Sequence, residues 1–147
     1  SDTEIWASGI ENILVHSADG GQTWQELAAP CRTKTQLLRI RFAGPRGYVT
    51  GRRCVAFTED GGQTWQSSSL GHAVRYSWLY GIALTPTEVW AAGYREGLFH
   101  AGANDQWERI AIDRTNPRGG SQYGAKRIPV EAARAGTGSP QAPGGSV

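Results

Sequence analysis

An all-β chain built from repeated four-stranded units is what this sequence predicts, on three observations. A turn motif recurs at a fixed interval: Ser17-Ala18-Asp19-Gly20-Gly21-Gln22-Thr23-Trp24 returns 41 positions on as Thr58-Glu59-Asp60-Gly61-Gly62-Gln63-Thr64-Trp65. A second marker, an aromatic residue, two small or β-prone residues and a glycine, recurs every 42 positions as Trp6-Ala7-Ser8-Gly9, Tyr48-Val49-Thr50-Gly51 and Trp90-Ala91-Ala92-Gly93. Composition agrees: 20 glycines and 6 tryptophans in 147 residues suit many short strands joined by tight turns.

The elements follow in order within each unit. The marker reads as a strand ending in a turn. An apolar third strand comes next, carried by Ile13-Leu14-Val15, Val55-Ala56-Phe57 or Leu98-Phe99. The Asp-Gly-Gly turn follows, and a short fourth strand starts at its Trp. A further strand precedes the second and third markers, Leu37 to Phe42 and Tyr80 to Leu84, with Pro45 and Pro86 in the turns that leave them. The first unit has no such strand. The third turn is eroded: only Gly102 and Trp107 survive, and the Asp is absent from its place. Four strands in about 41 residues make a propeller blade. The expectation is therefore a partial β-propeller of about three four-stranded antiparallel blades, at 4–28, 36–70 and 77–113, the first lacking its inner strand.

Turn chemistry accounts for every residue of the repeated motif. The carboxylates of Asp19 and Asp60 can accept hydrogen bonds from the amides just after them. Gly21 and Gly62, with the glycines before them, supply positive φ without steric cost. The hydroxyls of Ser17, Thr23, Thr58 and Thr64 can bond across the turn, and the indoles of Trp24 and Trp65 can cover it. A carboxylate repeated once per blade in a self-contained turn reads as a folding staple, not as a catalytic acid.

The chain changes character after Asp113. Residues 114–147 are rich in Gly, Pro, Ala and Ser and are expected to form an irregular, extended arm that cannot bury a core alone. One apolar patch, Ile128-Pro129-Val130, could supply the missing inner strand of the first blade, its Pro restricting it to an edge. No segment has the apolar length of a membrane span. Of the two cysteines, Cys31 and Cys54, the sequence leaves open a single disulfide or two free thiols.

The turn motifs closely resemble the Asp-box of neuraminidase-like propellers, the BNR repeat. The compact unit, with Gly47-Tyr48-Val49-Thr50-Gly51 before the third strand and Thr58-Glu59-Asp60-Gly61-Gly62-Gln63-Thr64-Trp65 after it, is most similar to the photosystem II stability/assembly factor family. The resemblance covers roughly Glu4 to Asp113. It implies a non-enzymatic, exported, periplasmic or extracellular binding propeller that holds a client protein on an Arg-rich patch. Family propellers have about seven blades, so the ring is expected to be completed by a second copy, by another chain or by further sequence of a longer chain.

A chemical centre is not evident in the residues. His16, His72 and His100 are scattered, and no nucleophile elbow, phosphate loop, metal motif or cofactor motif is present. Charge offers a better candidate. Net charge is +2, yet Arg32 to Arg53 holds seven basic residues and no acid. On the strand Leu37 to Phe42, alternation puts Arg39 and Arg41 on one face and Leu38, Ile40 and Phe42 on the other. Arg39, Arg41, Arg46, Arg52 and Arg53 thus form a candidate patch for an acidic protein segment. Nucleic acid is the poorer partner, since no interleaved stacking surface is evident. The alternative reading is a fragment of a sialidase-like, glycan-processing or glycan-binding propeller.

Overall fold

The computed structural model describes residues 3–28, 30–31, 34–70, 78–93, 97–113 and 124–129. Three antiparallel sheets account for nearly all of them. The first contains β1 (Ile5–Ser8), β2 (Leu14–Ser17) and β3 (Gln25–Glu26); the one-turn 3-10 helix Ile10–Asn12 links β1 to β2. The second contains β4 (Leu37–Ala43), β5 (Arg46–Gly51), β6 (Cys54–Thr58) and β7 (Gln66–Ser67) in sequence order. The third runs β8 (Leu79–Leu84), β9 (Val89–Gly93), β10 (Gly97–Ala101), β11 (Trp107–Asp113) and β12 (Gly124–Pro129). These are meander blades of a partial propeller.

The repeat read from sequence is the register of the sheets. Trp6 pairs with His16, Tyr48 with Phe57 and Trp90 with His100, so the three aromatic markers hold one position in three blades. Inner strands β4 and β8 carry the same bulge, between Leu37 and Arg39 and between Leu79 and Gly81. The marker glycines explain themselves at these bulges. A Cβ at Gly51 would meet the Gln36 carbonyl, and one at Gly93 the Trp78 carbonyl. At Gly9 nothing lies within 4 Å, because the first sheet has no inner strand among the described residues.

Sheets stack through their apolar faces. Leu14 and Trp6 of the first blade close on Leu37, Val49, Ala56 and Trp65 of the second. Tyr48 and Val55 of the second close on Leu79, Val89, Ala91, Phe99 and Trp107 of the third. The same ring contact recurs at both junctions: the marker aromatic of one blade meets the turn Trp of the next. Trp6 sits edge-on to Trp65 at 6.1 Å, and Tyr48 edge-on to Trp107 at 6.0 Å. Aromatic edge-to-face pairs of this kind add to the burial of the rings themselves.

Two expectations need correction. Of the tail, the structure describes only 124–129, and these residues are a strand, not an irregular arm. β12 pairs with β11 from Asp113↔Gly124 to Glu108↔Pro129. Ile128 and Pro129 therefore extend the outer edge of the third blade and do not supply the inner strand of the first. The position agrees with a proline's inability to donate to a central ladder. Val130 lies outside the described residues.

Candidate partner-binding groove

Both Asp-boxes form closed hydrogen-bond cages. In the first, Asp19 Oδ1 accepts from the amides of Gln22 and Thr23, each at 2.9 Å, and Oδ2 from the Thr23 hydroxyl at 2.6 Å. Ser17 donates to Asp19 at 2.8 Å and accepts from the Gly21 amide at 2.8 Å. In the second, Asp60 accepts from the Thr64 amide at 2.9 Å and the Thr64 hydroxyl at 2.6 Å, while Thr58 accepts from the Gly62 amide at 2.9 Å. Gly21 and Gly62 adopt φ of 93° and 92°, which a side chain would oppose. Trp24 and Trp65 each donate from Nε1 to the carbonyl of their own turn glycine at 3.1 Å. The Thr23 and Thr64 hydroxyls, then their amides and the Ser17 or Thr58 hydroxyl, hold Asp19 and Asp60 well below the usual carboxylate range. A carboxylate that stays ionised and saturated with donors is unsuited to proton transfer.

The third turn solves the same problem differently. It has one residue fewer between strand end and Trp, and Asp105 takes the acceptor role from a left-handed conformation with φ 53°. Asp105 Oδ1 accepts from Trp107 Nε1 at 2.7 Å and from Ser68 Oγ at 2.8 Å. Oδ2 accepts from the Ser69 amide at 3.0 Å. The turn thus ties the third blade to the second instead of closing on itself. Sequence alignment of the motif misses Asp105 because it stands two positions before its Trp, whereas Asp19 and Asp60 stand five before theirs.

The basic residues divide once placed. Arg46 is buried, 7% exposed, and its Nη2 donates to the Gly102 carbonyl at 2.7 Å and the Tyr48 hydroxyl at 3.3 Å. It leaves the expected patch, because it shares a strand face with Tyr48 and that face packs on the third blade. Arg39 and Arg41 are exposed on inner strand β4, each donating to the carbonyl of the residue before it. Arg52 and Arg53 lie in the β5–β6 turn, Arg53 at φ 59°. Among the described residues no carboxylate lies within ion-pair distance of Arg39, Arg41, Arg52 or Arg53. Arg32 and His72 are outside the described residues.

Arg52 and Arg53 form one wall of a groove of about 590 Å³. Lys34, Thr35 and Gln36 form another wall, and Ile10, Glu11 and Trp78 complete the lining. The Arg52 guanidinium lies over the Trp78 ring, 5.3 Å from its centroid, and Trp78 stacks on Tyr80 at 6.0 Å. Arg39 and Arg41 follow Gln36 along β4, so the cations continue from the groove onto the inner strand. Asn12 anchors the Lys34 wall: its amide donates to the Thr35 carbonyl at 2.9 Å, its Nδ2 to the Cys31 carbonyl at 2.9 Å, and its Oδ1 accepts from the Thr35 amide at 3.2 Å. The Arg52 amide donates to the Gln36 carbonyl at 2.9 Å across the groove floor. Cys31 and Cys54 are joined by a disulfide with Cα atoms 6.0 Å apart. Sequence reasoning missed Trp78 and Tyr80, and it counted Lys34 in the basic run without placing it in the patch. The clue was present in the aromatics that open the third inner strand.

The groove offers three cations, one acid and an aromatic floor, with no grouped nucleophile and base. Among the described residues no three His, Cys, Asp or Glu side chains converge on a metal position. No helix there is long and apolar enough to cross a membrane.

The family described as "Photosynthesis system II assembly factor YCF48" matches residues 31–134. The chain belongs to this family. Photosystem II assembly protein Ycf48 of Synechococcus sp. (strain JA-3-3Ab) is 37% identical over 54 residues, 36% of this chain and 16% of that protein. The protein of the same description from Synechococcus sp. (strain JA-2-3B'a(2-13)) is 33% identical over 54 residues, again 36% and 16% of the two lengths. The fold is shared with "YCF48 bound to D1 peptide" at a TM-score of 0.63 and 22% identity, covering 73% of this chain and 37% of that one. It is shared too with "YCF48 from Cyanidioschyzon merolae" at 0.57 and 21%, covering 93% and 40%. The chain thus spans 16% of the curated relatives it matches and well under half of the solved ones. The matches fall on assembly factors and lend no support to the sialidase-like alternative.

Proposed function

We propose that this chain is a non-catalytic protein-binding module of an assembly propeller, holding an extended acidic segment of a client protein in the Arg52–Trp78 groove. The observation that carries the reading is the groove's composition: Lys34, Arg52 and Arg53 line it with Trp78, and Glu11 is the one acid among the lining residues. Lys34 is paired with Glu11 at 3.9 Å, so Arg52 and Arg53 are the cations left to attract an acidic segment and guide its approach, and the Trp78 ring gives its apolar side chains a seat. A structural neighbour described as "YCF48 bound to D1 peptide" supports peptide capture as the mode of action. A disulfide persists in an oxidising compartment, which supports an exported, periplasmic or extracellular location.

The first blade supports the remaining partner reading, that a second copy or another chain closes the ring. Ile5 and Trp24 are 37% and 47% exposed, whereas Val89 and Trp107, at the same positions of the third blade, are 0% and 4% exposed. The exposed face carries the residue types that the other blade junctions bury.

Fluorescence polarisation with a labelled Asp/Glu-rich peptide tests the binding reading. Binding that weakens steeply with salt and is lost in Arg52→Ala/Arg53→Ala supports it. Equal binding of a neutral peptide, or turnover of a glycoside substrate, overturns it.

A further inference from the structure

We infer that the Cys31–Cys54 disulfide is a redox latch on the partner groove, which is formed in the oxidised chain and loosened in the reduced one. The inference rests on the peptide-binding reading of the groove. Both cysteines sit at the ends of groove walls. Cys31 stands shortly before Lys34-Thr35-Gln36, and Cys54 follows Arg52-Arg53 directly. The bond therefore ties one wall to the root of the other.

One further tie, through Asn12, joins Cys31 to the rest of this wall. Asn12, 6% exposed and left-handed at φ 64°, bonds the Cys31 carbonyl through Nδ2 and the Thr35 backbone through its amide and Oδ1. It senses the spacing between the two residues. Release of Cys31 breaks the bond from Asn12 Nδ2 and loosens this clamp. Loss of the clamp frees Thr35, whose hydroxyl donates to the Arg52 carbonyl. The strands behind the groove have a ladder of their own, from Gly47↔Thr58 to Gly51↔Cys54, that holds them without the bond.

The chemistry requires a dithiol reductant. Cys31 is half-buried and Cys54 only 4% exposed, so the reductant's thiolate attacks Cys31 Sγ. The Sγ–Sγ bond breaks, a mixed disulfide forms on Cys31, and Cys54 leaves as a thiolate that takes up a proton. The reductant's second thiol then displaces Cys31, which leaves as a thiol. Two electrons and two protons pass from the dithiol to the cystine, and the reductant departs as its disulfide.

Two measurements on the full chain decide it. The first is affinity for the labelled acidic peptide before and after treatment with a dithiol. If the competent groove falls to about a tenth of the population, apparent Kd rises about tenfold; Cys31→Ala/Cys54→Ala should match the reduced chain and ignore the dithiol. The second is amide hydrogen exchange, which needs no ligand. On reduction, exchange at Asn12, Thr35 and Arg52 should accelerate while Val49, Thr50 and Ala56 stay protected. Unchanged exchange at Thr35 and Arg52 overturns the latch, as does loss of protection throughout the second blade, which would make the bond a staple of the whole fold. Equal affinity of both redox states overturns it while leaving the peptide-binding reading intact. A failure of the oxidised chain to bind any acidic peptide overturns that reading instead, and exchange alone then settles whether the bond governs the wall.

Discussion

Asp60 and Asp105 show two ways in which one carboxylate holds a turn, and they fail differently. Asp60 is surrounded by donors from its own turn, so its folded-state pKa lies below its unfolded value. Its stabilisation is present above the ordinary value of 3.8 and is lost as pH falls through the folded value. Asp60→Asn should flatten the acid limb of the stability–pH curve, measured by Trp fluorescence during acid titration; an unchanged limb would count against the cage. Asp105 instead holds Trp107, Ser68 and Ser69 across a junction. Asp105→Ala strands donors inside that junction and should cost about 2–3 kcal/mol in denaturant unfolding. Tyr48 adds the opposite pH signature. Burial first, and then the Asp105 charge, push its hydroxyl up to about 12 from an ordinary 10.0. Its folded value is raised, so the stability it contributes is whole below pH 10.0 and is lost as pH rises through about 12. Tyr48→Phe should remove that alkaline loss, followed by near-UV circular dichroism.

At the scale of the element, the period of the repeat was legible because turn and strand chemistry repeat together. Trp6, Tyr48 and Trp90 fall at one register position, and the same spacing sets which side chains share a face. Arg46 was the exception within a run that looked uniform in charge. Strand parity places it with Tyr48 and Thr50, on the face that packs against the third blade, and charge clustering alone does not reveal this. Neither could composition reveal β12, since a Gly- and Pro-rich tail pairs only where an edge is offered, here by β11. The marker glycines give a paired prediction. Gly51→Ala forces a Cβ against the Gln36 backbone and should cost about 1–3 kcal/mol. Gly9→Ala, with φ −154° and nothing within 4 Å, should be neutral or slightly stabilising through the unfolded chain. Thermal melts of the two variants compare them directly; equal losses would show that the inner strand does not set the glycine requirement.

For the molecule as a whole, the decisive asymmetry is between its junctions and its first face. Trp65 is wedged by Trp6 and by Phe42, 6.0 Å away, while Trp24 makes the same indole bond to its own turn and remains 47% exposed. The two tryptophans share a motif, so their difference isolates what a neighbouring blade contributes. Trp65→Ser removes a half-buried aromatic from a formed junction and should cost about 2–3 kcal/mol, less than the loss of a fully buried ring. Trp24→Ser in the same chain should cost little, because its ring is not yet covered. The exposed Ile5 and Trp24 face should instead govern association, as apolar surface left bare on a repeat array drives chains together. Light scattering at rising protein concentration should therefore show the unaltered chain associating beyond its 15.9 kDa mass. Ile5→Ser/Trp24→Ser should return it towards monomer without lowering its melting temperature. A monodisperse monomer for the unaltered chain would mean that this face needs no partner.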